Sequence, residues 1–407
     1  MFDPIRTALR GKGVQALLSR AGSISRRYGL TAAKMDYSLK QLETILQEFN
    51  CSATLPITAA ALARHPALAG RLQSRGIELA VHGYTHVDYS LLSLERQRTH
   101  LRSARDIFNY AGIKPTGFRC PYLRGNNETL TALTEGGFIY DSSPGLWWDL
   151  PGVKETEGYR HVLGFYGAQS AADYPALPSL SGNLVSIPYC LPDDEALVER
   201  LGLTDSKKMS EIWLGLLEQV YVRGELFTLG LHPERIPLCA GALRALLIKA
   251  RSLSPAVWIA RLDEIAEWYR TLGDTEFTTS PGPEGSLQLS IQAPAGGVIL
   301  ARSVVVQAPV TAWAQDYQQV LSSEFGIPGG IRPWIGLPPE RPVELERFLR
   351  HLGYLVEISL DPMAFTYFFN HKAFQPEDQR PLLESLEKGE KPLLRLGRWP
   401  QGAQAAL

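Results

Sequence analysis

The chain reads as an α/β protein: a closed or nearly closed (β/α) barrel followed by a small α+β module. Three observations predict this. Short apolar runs alternate with helix-period patterns from about residue 23 to 272. Seven or eight such units are enough to wrap a barrel of parallel strands. Past residue 285 the alternation stops and period-2 segments take over, as at Leu287, Leu289 and Ile291.

Candidate strands end near Tyr28, Pro56, His82, Arg119, Asp141, Tyr189 and His232. Helical patterns fill the gaps at 37–49, 59–75, 94–111, 128–135 and 209–222. Residues 256–269 begin strand-like and become an amphipathic helix that would close the barrel. Asp36 precedes apolar periodicity and reads as a helix N-cap. Residues 1–22 carry Ile5, Leu9, Val14, Leu17 and Leu18 at helical spacing and read as a short amphipathic segment. Residues 273–285, rich in Thr, Gly and Pro, read as a linker. The module at 286–407 combines strands at 287–291, 298–306 and 354–360 with a helix at 342–352, and it ends in a tail.

Composition narrows the function. The 407 residues are 45% hydrophobic and 20% charged, the proportions of an ordinary globular protein. A formal net charge of −1 supplies no basic field for nucleic acid. No run of about 18 apolar residues marks a membrane span. The N-terminus lacks a secretory apolar core. Cys51, Cys120, Cys190 and Cys239 stand far apart and read as reduced thiols of a cytoplasmic protein. The expected partner is a small molecule or a glycan.

The polar residues gather at predicted strand ends, where α/β folds place their chemistry. An apolar run from Ile77 ends at His82, and His86 follows four residues later. On a helical bend the two imidazoles would share a face, suited to a divalent metal such as zinc. Arg119, in Phe118-Arg119-Cys120-Pro121-Tyr122, can orient a carboxylate or grip substrate with a forked pair of hydrogen bonds. The turn at Tyr122 could aim N–H groups at an oxyanion. Pro233 ends a strand and leaves His232 at its mouth, the position of a proton donor. Trp147 and Trp148 could stack on flat sugar faces or could serve the core. Pro192-Asp193-Asp194-Glu195 reads as a helix start with acids in its first turn.

The ordered motifs His82-Gly83-Tyr84-Thr85-His86, Phe118-Arg119-Cys120-Pro121-Tyr122, Tyr140-Asp141-Ser142-Ser143 and Leu231-His232-Pro233 resemble those of the polysaccharide deacetylase family, the NodB-homology or carbohydrate esterase family 4 group, over roughly residues 23–270. The resemblance implies a distorted (β/α) barrel of the NodB-homology type, a divalent metal, usually zinc, and hydrolysis of a non-peptide carbon–nitrogen bond, the removal of acetyl from an N-acetylated sugar. It implies His82 and His86 as metal ligands, Arg119 and Tyr122 in the site, His232 as general acid and Asp141 as a polar neighbour that tunes it.

One motif departs. The family's first strand ends in two aspartates, a base and a third metal ligand, whereas Ser23-Ile24-Ser25-Arg26-Arg27-Tyr28-Gly29-Leu30-Thr31 holds no carboxylate. Asp88 and Asp141 stand in as candidates for both tasks. Tyr28-Gly29, the Glu78…His82-Gly83 context and His232-Pro233 are similar to the metal-independent allantoinase-like branch, which opens cyclic amides. A non-catalytic barrel that binds a glycan or a partner is the third reading.

Overall fold

The computed structural model describes residues 32–149, 157–172, 174–272, 275–283, 286–302, 305–313 and 317–328, residue 346, and strand segments at 334–337, 355–358, 366–369, 372–373 and 394–398. The expected N-terminal helix at 1–22, the strand ending at Tyr28, all but one residue of the helix at 342–352, and the tail lie outside the described residues.

Parallel strands form the framework. β1 (Thr54–Ile57), β2 (Glu78–Val81), β3 (Gly117–Phe118), β4 (Tyr140–Asp141) and β8 (Leu184–Ser186) pair side by side in that order, and β7 (Ser179–Ser181) adds an antiparallel edge. A second parallel sheet has β5 (Gly145–Trp147) between β6 (Gln169–Ser170) and β9 (Tyr189–Leu191). Leu229 bridges in parallel to Cys190 and extends this second sheet. The stretch 184–191 serves both sheets: β8 pairs with β4 and β9 pairs with β5, with only Ile187 and Pro188 between.

The helices follow from apolar spacing. α1 (Ala33–Glu48) buries Leu39, Ile45 and Leu46. Its N-cap is Ala32 without a side-chain bond; Asp36 sits inside the first turn and pairs with Lys40 and Arg71, so it is not the cap the sequence suggested. The single pattern at 59–75 is two helices, α2 (Ala59–Arg64) and α3 (Pro66–Ser74). Pro66 causes the break, because it pushes His65 out of helical geometry and starts the next helix as its first residue. α4 (Leu94–Tyr110) buries Leu101, Ala104 and Phe108 at three- and four-residue spacing. α5 (Asn127–Glu135) opens on a capping box between Asn126 and Thr129. α6 (Glu157–Tyr166) and α8 (Ile236–Ser252) were not anticipated; α7 (Ser206–Arg223) and α9 (Leu262–Leu272) were.

Alternation along β2 sorts the two faces. Leu79 and Val81 pack outward among Leu62, Leu101 and Phe108, while Ala80 packs inward with Tyr140, Val185 and Ile187. His82 therefore inherits the inward face. Gly117 is required there, since a Cβ would run into the Tyr140 ring. At the far end of the strands, half-buried Glu78 accepts hydrogen bonds from Thr54 Oγ1, Tyr140 Oη at 2.7 Å and the Asp263 amide at 3.1 Å.

Residues 276–281, expected as linker, form strand β10 (Glu276–Pro281), which pairs antiparallel with β11 (Leu287–Gln292). Phe277, Thr278 and Thr279 are strand formers, and Pro281 falls where the strand ends. β11 continues to β15 (Glu324–Ile327), and β12 (Ile299–Arg302), β14 (Tyr317–Val320) and β13 (Val310–Ala312) make a second small sheet.

Candidate active site

His82 is fixed by two bonds. Its amide donates to Ile57 O at 2.9 Å, and its Nδ1 lies 2.8 Å from Arg119 O. A carbonyl only accepts, so Nδ1 carries the proton and Nε2 carries the lone pair. Burial, then the neighbouring charge of His86, Arg119 and His232, lowers its pKa to about 3, so the ring is neutral. The link to His86 is a bend, not a helical turn: Gly83 has φ 79°, and its Cβ position is taken by the Tyr89 ring. The two rings still meet edge-on at 5.1 Å, and His86 packs edge-on against Tyr122 at 4.5 Å. Tyr122 and Leu123 hold φ of 60° and 58°, a left-handed conformation that non-glycine residues keep only where their surroundings impose it.

Arg119 lies at the end of β3. Its Nε donates to Ser142 O and its Nη2 to Ser142 Oγ, both at 2.8 Å, and its guanidinium stacks 4.6 Å over the Tyr189 ring. Asp141 is buried behind this layer. It accepts from Ser143 Oγ, which itself receives the Cys120 amide at 2.8 Å. Burial raises the Asp141 pKa to about 6. Asp88 caps the short turn at Tyr89–Leu91 and pairs with Arg124 Nε at 2.9 Å.

Trp147 and Trp148 do not line a groove. They are 3% and 0% exposed; Trp147 packs with Tyr166, Tyr189 and Leu191, and Trp148 with Trp213, Leu216 and Cys239. Flanking strands and helices cover both, so neither offers a ring face to a sugar.

The sequence reading missed the partners of His232. Its Nδ1 lies 2.7 Å from Asp194 Oδ1, its amide donates to Asp194 Oδ2 at 2.8 Å, and its Nε2 lies 3.1 Å from Glu195 Oε2. Burial alone would depress this ring's pKa; the bonds to Asp194 and Glu195 and the charge of Asp193 outweigh it and raise the pKa to about 10. His232 is thus an imidazolium at neutral pH. Asp193 accepts from Tyr189 Oη and the Ala196 amide, both at 2.7 Å. The available signal was position: Asp193-Asp194-Glu195 directly follows a strand end, as do His82 and Arg119.

His82, His86, Arg119, Tyr122, Glu195 and His232 line one cavity of about 980 Å³. The donors can be tested against a metal. Zinc sites use three or four protein ligands. Among the described residues, the carboxylate, imidazole and thiolate atoms that come together in threes are those of Asp193, Asp194 and His232, within 4.8 Å of one another. That triad could hold an ion, but each member is already bonded, and an ion would have to break the His232–Asp194 pair. His82 and His86 gain no third ligand from Asp88 or Asp141. The described donors thus fit acid–base chemistry and do not fit a resident zinc at the histidine pair.

A parallel α/β framework with a neutral imidazole, a guanidinium and a carboxylate-held imidazolium at its strand ends is the layout of a polar, enzyme-type site. Residues 34–140 match the family model described as polysaccharide deacetylase. His82, His86, Arg119 and Tyr122 fall inside the match, and Asp194 and His232 beyond it. A peptidoglycan deacetylase-like protein of Gibberella zeae is 36% identical over 69 residues, 17% of this chain and 20% of that protein; the match spans a fifth of the relative's length. A solved structure from Mycobacterium smegmatis assigned as a polysaccharide deacetylase shares 26% identity with a TM-score of 0.48, covering 63% of this chain and 84% of that one. The Puue allantoinase structure shares 22% identity with a TM-score of 0.46, covering 57% and 72%.

Proposed function

We propose that the protein is a hydrolase of non-peptide carbon–nitrogen bonds of the deacetylase type, with an N-acetylated sugar or glycan as its substrate class. One observation carries the reading: the imidazolium of His232, held by Asp194, opens into the same cleft as neutral His82 and Arg119. Amide hydrolysis needs a proton delivered to the departing nitrogen, and a carboxylate-oriented imidazolium supplies it. Arg119 is pinned by Ser142 and by the Tyr189 ring, so its charge is preorganised rather than mobile. The amide of Tyr122, in its left-handed turn, supplies a second donor for the oxyanion.

The donor set favours a second reading for the leaving group. With two imidazoles and no third ligand among the described residues, the site suits metal-free opening of a cyclic amide as well as it suits acetyl release. Acetylated chito-oligosaccharides and allantoin, assayed side by side with and without added zinc, separate the two readings. Acetate release supports the deacetylase and ring opening supports the cyclic amidase. No turnover of either, with a glycan still bound, would make the fold a recognition module. His232→Ala should lower kcat by roughly 10²-fold or more while ground-state binding changes little.

A further inference from the structure

We propose that Glu195 is the general base of this site, the carboxylate that takes a proton from the attacking water. The inference rests on the carbon–nitrogen hydrolase reading and adds the group which that reading lacks. Three observations lead to it.

The first is elimination by placement. Asp141 is buried behind Arg119 and bonded to Ser143, and it does not line the cavity. Asp88 is committed to a turn and to Arg124. His82 faces the cleft, but burial and its cationic neighbours leave its ring a very weak proton acceptor. Asp193, Glu225 and Glu234 also line the cavity. Asp193 is buried and holds Tyr189 Oη and the Ala196 amide, Glu225 accepts the Ala176 amide, and the Glu234 side chain is buried beside Arg235. Glu195 lines the cavity as well, but it is half-buried and faces His232 Nε2.

The second is geometry. Glu195 Oε2 lies 3.1 Å from His232 Nε2. In amide hydrolysis the attacking oxygen and the leaving nitrogen are bonded to the same carbon. A base and an acid side by side at hydrogen-bond distance match that spacing.

The third is charge. Asp194 and Asp193 hold the His232 ring protonated, and its positive charge lies directly against the Glu195 carboxylate.

The proton balance closes. As the water oxygen bonds to the acyl carbon, one of its protons passes to Glu195. The carbon–nitrogen bond then breaks, its electron pair stays on nitrogen, and nitrogen takes the Nε2 proton of His232. Protonated Glu195 passes its proton to the now-neutral Nε2, which restores the resting pair. One water is consumed, and a carboxylic acid and an amine leave. The steps assist each other: a protonated Glu195 no longer holds the Nε2 proton by charge, so His232 becomes a stronger acid when the leaving nitrogen needs it.

The test uses the full chain and whichever of N-acetylated chito-oligosaccharide or allantoin it turns over. Glu195→Gln should lower kcat by roughly 10²- to 10⁴-fold with KM changed only a few-fold, and the acid limb of the pH–rate profile should disappear. Glu195→Ala should be equally slow and should regain activity on addition of formate, a rescue that a purely structural residue would not show. An active wild type whose Glu195→Gln variant keeps kcat within threefold overturns the assignment. So does a slow Glu195→Ala that is folded by thermal melting yet indifferent to formate. A wild type inert to both substrates overturns the hydrolase reading itself, and this inference with it.

Discussion

Replacing Asp194 by asparagine removes one charge from the His232 pair while an amide oxygen remains for Nδ1 or the backbone amide. In the folded protein His232 titrates near 10, against about 6.5 in an unfolded chain. Taken whole, that difference corresponds to roughly 5 kcal/mol at about 1.4 kcal/mol per unit. The whole figure does not apply, because 35% of the ring surface is open and cleft water screens its charge. A hydrogen bond to a charged group contributes about 1.5–3 kcal/mol, and a loss of about 2 kcal/mol is expected for Asp194→Asn at neutral pH. The sign follows from linkage. Below about pH 6.5 both folded and unfolded rings are protonated, and the pair contributes in full. As the pH rises from there through about 10, the folded ring loses its proton and the contribution disappears. Urea unfolding at pH 5.5, 7.5 and 9.5 should therefore show the largest gap between wild type and variant at pH 5.5 and the smallest at 9.5. A gap that widens with pH, or a wild-type His232 whose NMR titration falls near 6.5, would refute the reasoning.

Trp148→Ala should destabilise by about 3–5 kcal/mol, the cost of emptying a large core site, and should leave KM unchanged in any variant that still folds; a raised KM at full stability would return this ring to the substrate groove. Glu78→Ala should cost about 2–4 kcal/mol in chemical denaturation by orphaning the Tyr140 hydroxyl and the Asp263 amide, and a neutral result would mean water replaces the carboxylate. Gly117→Ala should cost about 1–3 kcal/mol by pressing a methyl into the Tyr140 ring, read as a lower melting temperature; an unchanged melt would mean the ring moves aside freely. A chelator should leave the melting temperature unmoved, and a drop that zinc restores would show that a metal belongs to the folded site.

Strand ends were legible because period-2 runs stop at residues whose chemistry differs from the run. His82, Arg119, Asp141 and His232 all stand at such stops, and the cavity gathers three of the four. Asp141 shows the limit of that rule. A strand end fixes where the backbone goes, whereas the side chain's direction depends on Ser143, whose hydroxyl holds it. Asp193-Asp194-Glu195 was hidden by a valid local explanation: Asp193 does receive the Ala196 amide, as an acid at a turn start should. Its neighbours' attachment to His232 spans 38 residues, a separation that no local pattern encodes. Trp147 and Trp148 were undecidable for a related reason. An aromatic's exposure is set by what the rest of the chain lays over it, here α7 and α8 over Trp148. The strand at 276–281 was concealed by the Thr, Gly and Pro richness of its surroundings, which marks a linker as readily as it marks a strand that ends at Pro281.

The stretch from Leu184 to Leu191 makes the site a joint between two bodies. His82 and Arg119 ride on the sheet that ends in β8, and Asp194 and His232 ride on the sheet that contains β9. Each half is tightly braced within itself, His82 to Arg119 O and His232 to Asp194. Across the divide run, among other contacts, the links Ser142 to Pro144 and Ile187 to Pro188, the Tyr189 amide on Pro144 O at 2.8 Å and the stacking of Arg119 on Tyr189. The spacing between the proton donor and the electrophile's anchor is therefore a property of the seam, not of either half. Substitutions at Ile187 or Pro188 would retune that spacing as one turns a set screw, while both constellations keep their internal shape.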